Sequence, residues 1–96
     1  MSFTRYASLS GRTIVVTGGA SGIGAAFVRA FAENGARVGF LDLQAEAGAA
    51  LAGELGQMFV PCDLTDIDAL RTGLAAIRAA LGPAAALINN AANDQR

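Results

Sequence analysis

The feature of this sequence that most constrains its fold is a glycine-rich stretch at residues 17–24, with the sequence TGGASGIG. It directly follows the apolar run 13–16 and directly precedes a segment with helical periodicity. Glycines let the backbone approach a bulky anion, and the N-terminus of a following helix supplies free N–H groups and a positive dipole. The spacing G-x-x-x-G-x-G in this context predicts a turn that holds the pyrophosphate of a dinucleotide.

The rest of the chain alternates between short apolar runs and longer segments with helical spacing. Strands are predicted at 12–17, 37–41, 58–60 and 86–89, and helices at 22–33, 44–55 and 66–81. Helices between consecutive strands predict an α/β fold, β-α-β-α-β-α-β, whose parallel sheet has right-handed crossovers. The 53% apolar composition suits a sheet covered by helices on both faces. With no internal repeat or linker, residues 1–96 are expected to form a single domain.

Composition excludes several classes of partner. The seven basic residues are all arginines, spread singly along a chain of net charge −1, so no basic stripe is available for nucleic acid. The single cysteine, Cys62, cannot form an internal disulfide and is expected to be a buried, reduced thiol; no Cys/His pairs with metal-ligand spacing exist. No segment has the apolar length and pattern of a signal peptide or a membrane span. The sequence therefore predicts a soluble cytoplasmic protein.

Asp42 follows the second predicted strand, 18 residues after Gly24, the last glycine of the turn. A carboxylate at this position can accept both hydroxyl hydrogens of an adenosine ribose and would repel a 2′-phosphate. Ser21 and Leu43, where a basic side chain would be expected for a phosphorylated cofactor, are uncharged. These residues predict NAD rather than NADP as the cofactor. The alternative for Asp42 is a solvated loop acid.

Four signals, in this order and spacing, resemble the short-chain dehydrogenase/reductase family: the glycine turn 17–24, Asp42, the run Cys62-Asp63-Leu64 and the run 89–92. The resemblance implies a Rossmann-type sheet in the order 3-2-1-4, with residues 1–96 as the N-terminal, NAD(P)-binding part of a longer family domain. Ala92 departs from the glycine usual there. The runs 6–12, 40–42 and 89–94 look most like those of bacterial sugar and polyol dehydrogenases.

The resemblance also implies individual binding residues. Asp63 and Leu64 would border the adenine, with the Asp63 carboxylate facing its amino group; the alternative for Asp63 is an acid that caps the following helix. Asn90 and Ala91 would pass beside the adenosine ribose, and Asn89 would tie the fourth strand to its neighbour. The predicted cofactor-binding residues are Gly18, Ser21, Gly22, Ile23, Gly24, Asp42, Leu43, Asp63, Leu64, Asn90 and Ala91.

The catalytic residues of this family cannot be mapped onto the sequence. They are a serine, an asparagine, and a tyrosine followed four residues later by a lysine, which lets the phenol exchange a proton while hydride moves to or from the nicotinamide. This sequence has no lysine, and its single tyrosine, Tyr6, precedes the first predicted strand. No catalytic residue is predicted, and these 96 residues alone are expected to be catalytically incompetent.

Two functions of different classes are compatible with these observations. The first is the NAD-binding part of an oxidoreductase that transfers hydride between NAD and a secondary alcohol, sugar or polyol. The second is a non-catalytic dinucleotide-binding or assembly module that dimerises through the uncovered edge of its fourth strand. A third reading, binding of another adenosine cofactor such as S-adenosylmethionine, shares the glycine turn and Asp42 but not the signals at Asp63 and Asn90.

Overall fold

A computed structural model describes residues 10–90 of the chain. Strands and helices alternate through this part, in the order β1 (Thr13–Thr17), α1 (Gly22–Glu33), β2 (Arg37–Asp42), α2 (Ala45–Leu55), β3 (Met58–Pro61), α3 (Ile67–Leu81) and β4 (Ala86–Asn89). The predicted site residue Ala91 and the segments 1–9 and 92–96 lie outside the described residues.

The strands form one parallel sheet in the order β3-β2-β1-β4. Val15 at the middle of β1 lies opposite Gly39 of β2 and Leu87 of β4. The chain therefore adds β2 and β3 on one side of β1 and then returns to add β4 on the other side. This confirms the predicted topology, and it places the reversal of strand order at β1, where α/β sheets bind ligands beyond the carboxyl ends of the strands.

Side chains that alternate along the central strands supply two separate cores. Ile14 and Val16 of β1 face a cluster with α1 and α2, whereas Val15 faces a second cluster with α3. The first cluster consists of Ile14, Val16, Val28, Ala36, Val38, Phe40 and Leu51, and the second of Val15, Leu41, Cys62 and Ile77. Helices therefore cover both faces of the sheet, as predicted.

The strands of the sheet differ in how far they are buried. β1 is buried throughout and β2 is buried except at Arg37, but β4 is mostly exposed, with Leu87 55% accessible. An open apolar cavity of about 180 Å³ lies between β4 and α3, lined by Val15, Leu74, Ile77, Arg78, Gly82, Ala84 and Leu87. None of these residues belongs to the glycine turn, so this cavity is separate from the predicted cofactor site.

The ends of the elements lie within one residue of the predicted positions. Gly35, Gly56 and Gly82, which follow the three helices, all have positive φ values, 87°, 67° and 90°, a conformation that ends a helix without the steric cost of a Cβ. The side chain of Asp66 accepts hydrogen bonds from the N–H groups of Asp68 and Ala69 and so begins α3. No helix within residues 10–90 is long and apolar enough to cross a membrane.

Two glycines of α2 provide a matched test of this packing. A Cβ at Gly48 would lie 2.2 Å from the Phe59 ring, which packs on Phe40, whereas a Cβ at Gly53 meets nothing within 4 Å. We expect Gly48→Ala to lower the free energy of unfolding by about 1–3 kcal/mol through overpacking, and Gly53→Ala to raise it by roughly 0.5–1 kcal/mol through helix propensity. Urea denaturation measures both changes; equal effects of the two substitutions would contradict the packing described for α2.

Candidate functional site

The parallel sheet brings the predicted site residues to one edge. Each strand delivers its carboxyl end there: β1 leads into the glycine turn, β2 ends at Asp42, β3 leads into Asp63 and Leu64, and β4 leads into Asn90. Residues separated by most of the chain thus become neighbours, as the 3.1 Å hydrogen bond from Asn90 Nδ2 to the Gly18 carbonyl oxygen shows.

The glycine turn is folded so tightly that side chains are excluded from it. Gly18 and Gly22 have φ values of 74° and 60°, in the left-handed region that favours glycine. A Cβ added to Gly24 would lie 1.8 Å from the Gly18 carbonyl oxygen and 2.9 Å from Asn90 Nδ2. The first helical turn therefore packs directly on the end of β1, with room for backbone only.

Asp42 joins the two loops of the site. Its Oδ2 accepts a hydrogen bond from the Ala20 N–H at 3.0 Å, and its Oδ1 accepts one from the Gln44 N–H at 3.0 Å. The residue is only 8% exposed, so it is not a solvated loop acid. Each carboxylate oxygen can accept more than one hydrogen bond, so the group keeps the capacity to accept ribose hydroxyl hydrogens.

The N-terminus of α1 offers backbone donors toward the same edge. Its N-cap, Ser21, makes no side-chain capping hydrogen bond to the helix, and its carbonyl oxygen accepts a hydrogen bond from the Ala25 N–H. The N–H groups at positions 22–24 have no partner within a helix at this point. Together with the positive end of the helix dipole, they suit a diphosphate, so the residues present fit a dinucleotide.

Two exposed apolar side chains flank the turn. Ile23 in the first turn of α1 is 68% exposed, and Leu43 after Asp42 is 69% exposed. Large apolar side chains at this exposure leave much of their surface in water. A ligand that covers them would gain binding free energy by removing that apolar surface from water. The uncharged Leu43 directly follows Asp42 in the chain.

Asn89 has the structural role that was predicted for it. The Thr17 hydroxyl donates to Asn89 Oδ1 at 2.8 Å, and the Asn90 N–H donates to the Thr17 carbonyl oxygen at 3.2 Å. Both bonds join the last residues of β1 to those of β4. The side chain of Asn90 then holds the glycine turn itself, which the sequence did not indicate.

Asp63 and Leu64 lie beyond β3 and differ in burial. Leu64 packs partly buried against the core beneath α3, while the exposed Asp63 accepts hydrogen bonds at Oδ1 from the Thr65 hydroxyl at 2.7 Å and the Thr65 N–H at 3.0 Å. Asp63 therefore does not cap α3; Asp66 does. The Thr65 hydroxyl bond, followed by the backbone bond, lowers the pKa of the Asp63 carboxyl.

Cys62 is the buried free thiol that the sequence predicted, 6% exposed. Burial, and then the charges of Asp63 and Asp66, raise the pKa of this thiol. At neutral pH it stays protonated, the less nucleophilic form. Across residues 10–90 no three His, Cys, Asp or Glu side chains lie together in a way that could hold a metal ion.

Three residues of the site were not predicted. Ala20 donates to Asp42, Gln44 joins both loops, and Gly19 packs where a Cβ would lie 2.8 Å from the Cβ of Phe40. A signal for Gly19 was its place within the glycine-rich stretch 17–24, although it is not one of the three motif glycines. For Ala20 and Gln44 the sequence holds no signal, because their roles depend on how the two loops meet.

A sequence profile described as short chain dehydrogenase matches residues 12–96. The chain belongs to the short-chain dehydrogenase family. It is 44% identical to a probable galactose dehydrogenase of Rhizobium meliloti over 97% of the chain, and 43% identical to a D-xylose 1-dehydrogenase of Caulobacter vibrioides over 100% of the chain. In both cases it spans 39% of the relative's length, about two-fifths.

A third relative and a solved structure agree with this assignment. An L-fucose dehydrogenase of Mus musculus is 45% identical over 92% of the chain, which spans 32% of that protein. The crystal structure of a 3-ketoacyl-(acyl-carrier-protein) reductase from Brucella melitensis, complexed with NADH, superposes with a TM-score of 0.79 at 27% identity. That match covers 82% of this chain and 34% of the reductase.

The Asp63–Thr65 turn predicts a pH effect on the stability of this chain. Because the folded-state pKa of Asp63 is lowered, its stabilising effect is present above the unfolded pKa and is lost as the pH falls through the folded value, below about pH 4. We expect Thr65→Val, which removes the larger of the two causes, to raise this pKa, as followed by NMR titration of the carboxyl carbon. Thr65→Ser keeps the hydroxyl and should leave it low; a rise in the serine variant would contradict the assignment.

Proposed function

We propose that this chain forms the NAD-binding part of a short-chain oxidoreductase that transfers hydride between NAD and a secondary alcohol, a sugar or a polyol. The observation that carries this proposal is the position of Asp42. Its carboxylate is buried at the carboxyl edge of the sheet and is held by N–H groups from both loops that flank the proposed ribose position. A rigid acceptor there suits two neighbouring hydroxyl groups.

The glycine turn supports the same ligand. In the proposal, the N–H groups at positions 22–24 bind the pyrophosphate, and the absence of side chains at Gly18, Gly22 and Gly24 allows its approach. Ser21 and Ile23 would line this approach, and Asn90 and Ala91 are proposed to pass beside the ribose. Asp63 would accept from the adenine amino group, with Leu64 supporting that loop from the core.

The preference for NAD over NADP rests on charge. A 2′-phosphate would lie against the Asp42 carboxylate, and Ser21 and Leu43 beside it carry no positive charge to offset the repulsion. The chain as a whole has no lysine. Like charges at contact in a partly buried site disfavour binding strongly, so the phosphorylated cofactor is expected to bind more weakly.

The substrate class rests on the named relatives. Galactose, D-xylose and L-fucose dehydrogenases are 43–45% identical to this chain over the compared residues. When bound, NAD would supply the hydride acceptor, and the residues described here would bind and orient its adenosine and diphosphate. The groups that exchange a proton with the substrate have no counterpart in this sequence, so the 96 residues alone are proposed to be inactive.

Removal of the Asp42 carboxylate tests the cofactor assignment. In the protein made from its natural gene, we expect Asp42→Asn to weaken NAD about ten- to hundredfold, the effect of losing hydrogen bonds to a charged acceptor, and to weaken NADP much less. Calorimetric titration of both cofactors measures this. Asp68→Asn, a charge-matched change at an exposed position of α3, should leave both affinities unchanged. Equal affinities of the unaltered protein for NAD and NADP would refute the NAD preference.

An activity assay tests the proposed incompetence of the isolated chain. With NAD and a panel of sugars, polyols and secondary alcohols, the 96-residue chain should show no absorbance change at the NADH wavelength above a protein-free control. The protein made from its natural gene provides the comparison. Clear turnover by the 96 residues would show that the proton-exchange role lies with residues other than a tyrosine–lysine pair.

A second candidate function, self-association, is favoured by the exposure of β4. This strand ends the described sheet, pairs with β1 on one side, and presents Leu87 and the apolar cavity beside α3. An exposed strand edge with apolar side chains is a template for pairing with another chain. The second candidate function of the isolated chain is therefore to form a dimer through β4.

Sedimentation of the 96-residue chain tests this assembly. We expect a dimer or larger species, and we expect Leu87→Glu to shift the population toward monomer, because a carboxylate on the edge must be desolvated on pairing. Ala50→Glu adds the same charge on the exposed surface of α2, on the other side of the sheet, and should not change the mass. A monodisperse monomer for the unaltered chain would rule the assembly out.

A further inference from the structure

The N-cap residues of the two helices that begin at the site bind each other. Gln44 Nε2, at the N-cap of α2, donates to Ser21 Oγ, at the N-cap of α1, over 2.9 Å. Neither side chain makes a capping hydrogen bond to its own helix. We propose that this Gln44–Ser21 bridge is a positioning device that favours NAD over NADP at the proposed cofactor site; the inference rests on the proposed function.

The bridge changes what the N-terminus of α1 can bind. A serine at an N-cap ordinarily turns its hydroxyl onto the N–H of the second or third residue of the helix, here Ile23 or Gly24. That bond would occupy a donor that the diphosphate needs. Because Gln44 holds the hydroxyl, the donors at positions 22–24 stay directed at the ligand.

The bridge also ties together the two loops that meet at Asp42. Two consecutive residues of the glycine turn are tied to the β2–α2 loop: Ala20 through the buried Asp42 carboxylate, and Ser21 through the exposed Gln44 amide. A ribose whose hydroxyls reach Asp42 must direct any 2′-substituent between these same two loops. A 2′-phosphate would have to displace the bridge. The Gln44 amide of the bridge is neutral, so it cannot offset the charge of the phosphate as a cationic side chain would.

Cofactor titration of matched variants tests this role in the protein made from its natural gene. We expect Gln44→Ala to weaken NAD about threefold to tenfold, the effect of one hydrogen bond, and to weaken NADP less, so that the ratio of the NADP to the NAD dissociation constant falls. Glu46→Gln, an exposed change in the first turn of α2, should leave that ratio unchanged. An equal loss for both cofactors, or an unchanged ratio, would overturn the positioning role while leaving the proposed function intact.

A ligand-free measurement separates the bridge from cofactor binding. Ser21→Ala and Gln44→Ala should each speed hydrogen exchange of the amides at positions 20 and 44, which bind Asp42, and the double variant should be no faster than either single variant, because both remove the same bond. Additive effects would overturn the bridge. Failure of the unaltered protein to bind either cofactor would overturn the proposed function, and with it the specificity role.

Discussion

The burial of the Asp42 carboxylate is the constraint on which the rest of the site depends. A charge with 8% exposure would be costly if it lacked partners. The Ala20 and Gln44 N–H groups meet this requirement, and no buried side-chain nitrogen or oxygen within residues 10–90 is left without a hydrogen-bond partner. Because these donors come from different loops, satisfying one carboxylate also fixes the glycine turn against the β2–α2 connection.

The glycine turn is closely packed against other parts of the chain, so the geometry of the site depends on the whole sheet. The carbonyl oxygen of Gly18 lies where a side chain at Gly24 would be, and it accepts a hydrogen bond from Asn90. Asn90 reaches this place only because β4 pairs with β1, in a register that aligns Thr17 with Asn89. The turn is therefore held both by the helix that follows it and by Asn90, which lies 72 residues after Gly18 in the chain.

Much of the architecture could be predicted because local signals mark the ends of its elements. Gly35, Gly56 and Gly82 stop the helices, and consecutive apolar residues such as Ile14, Val15 and Val16 indicate a strand covered on both faces. Burial of Cys62 also followed from the sequence, since it lies at the end of an apolar strand. The sequence did not show which acid caps α3, because Asp63 and Asp66 are both plausible caps. Only the geometry of the turn at Thr65 shows that Asp66 is the cap.

The sequence by itself determined the order of strands and helices, the family, and the kinds of groups that reach the carboxyl edge. Periodicity and glycine spacing are local properties that a single segment carries. Only the tertiary structure decided which groups meet: that Ala20 and Gln44 share one carboxylate, that Asn90 holds Gly18, and that Ser21 is bound by a neighbouring helix instead of capping its own. These pairings depend on the register and spacing of strands far apart in the chain, and no local pattern records such distances.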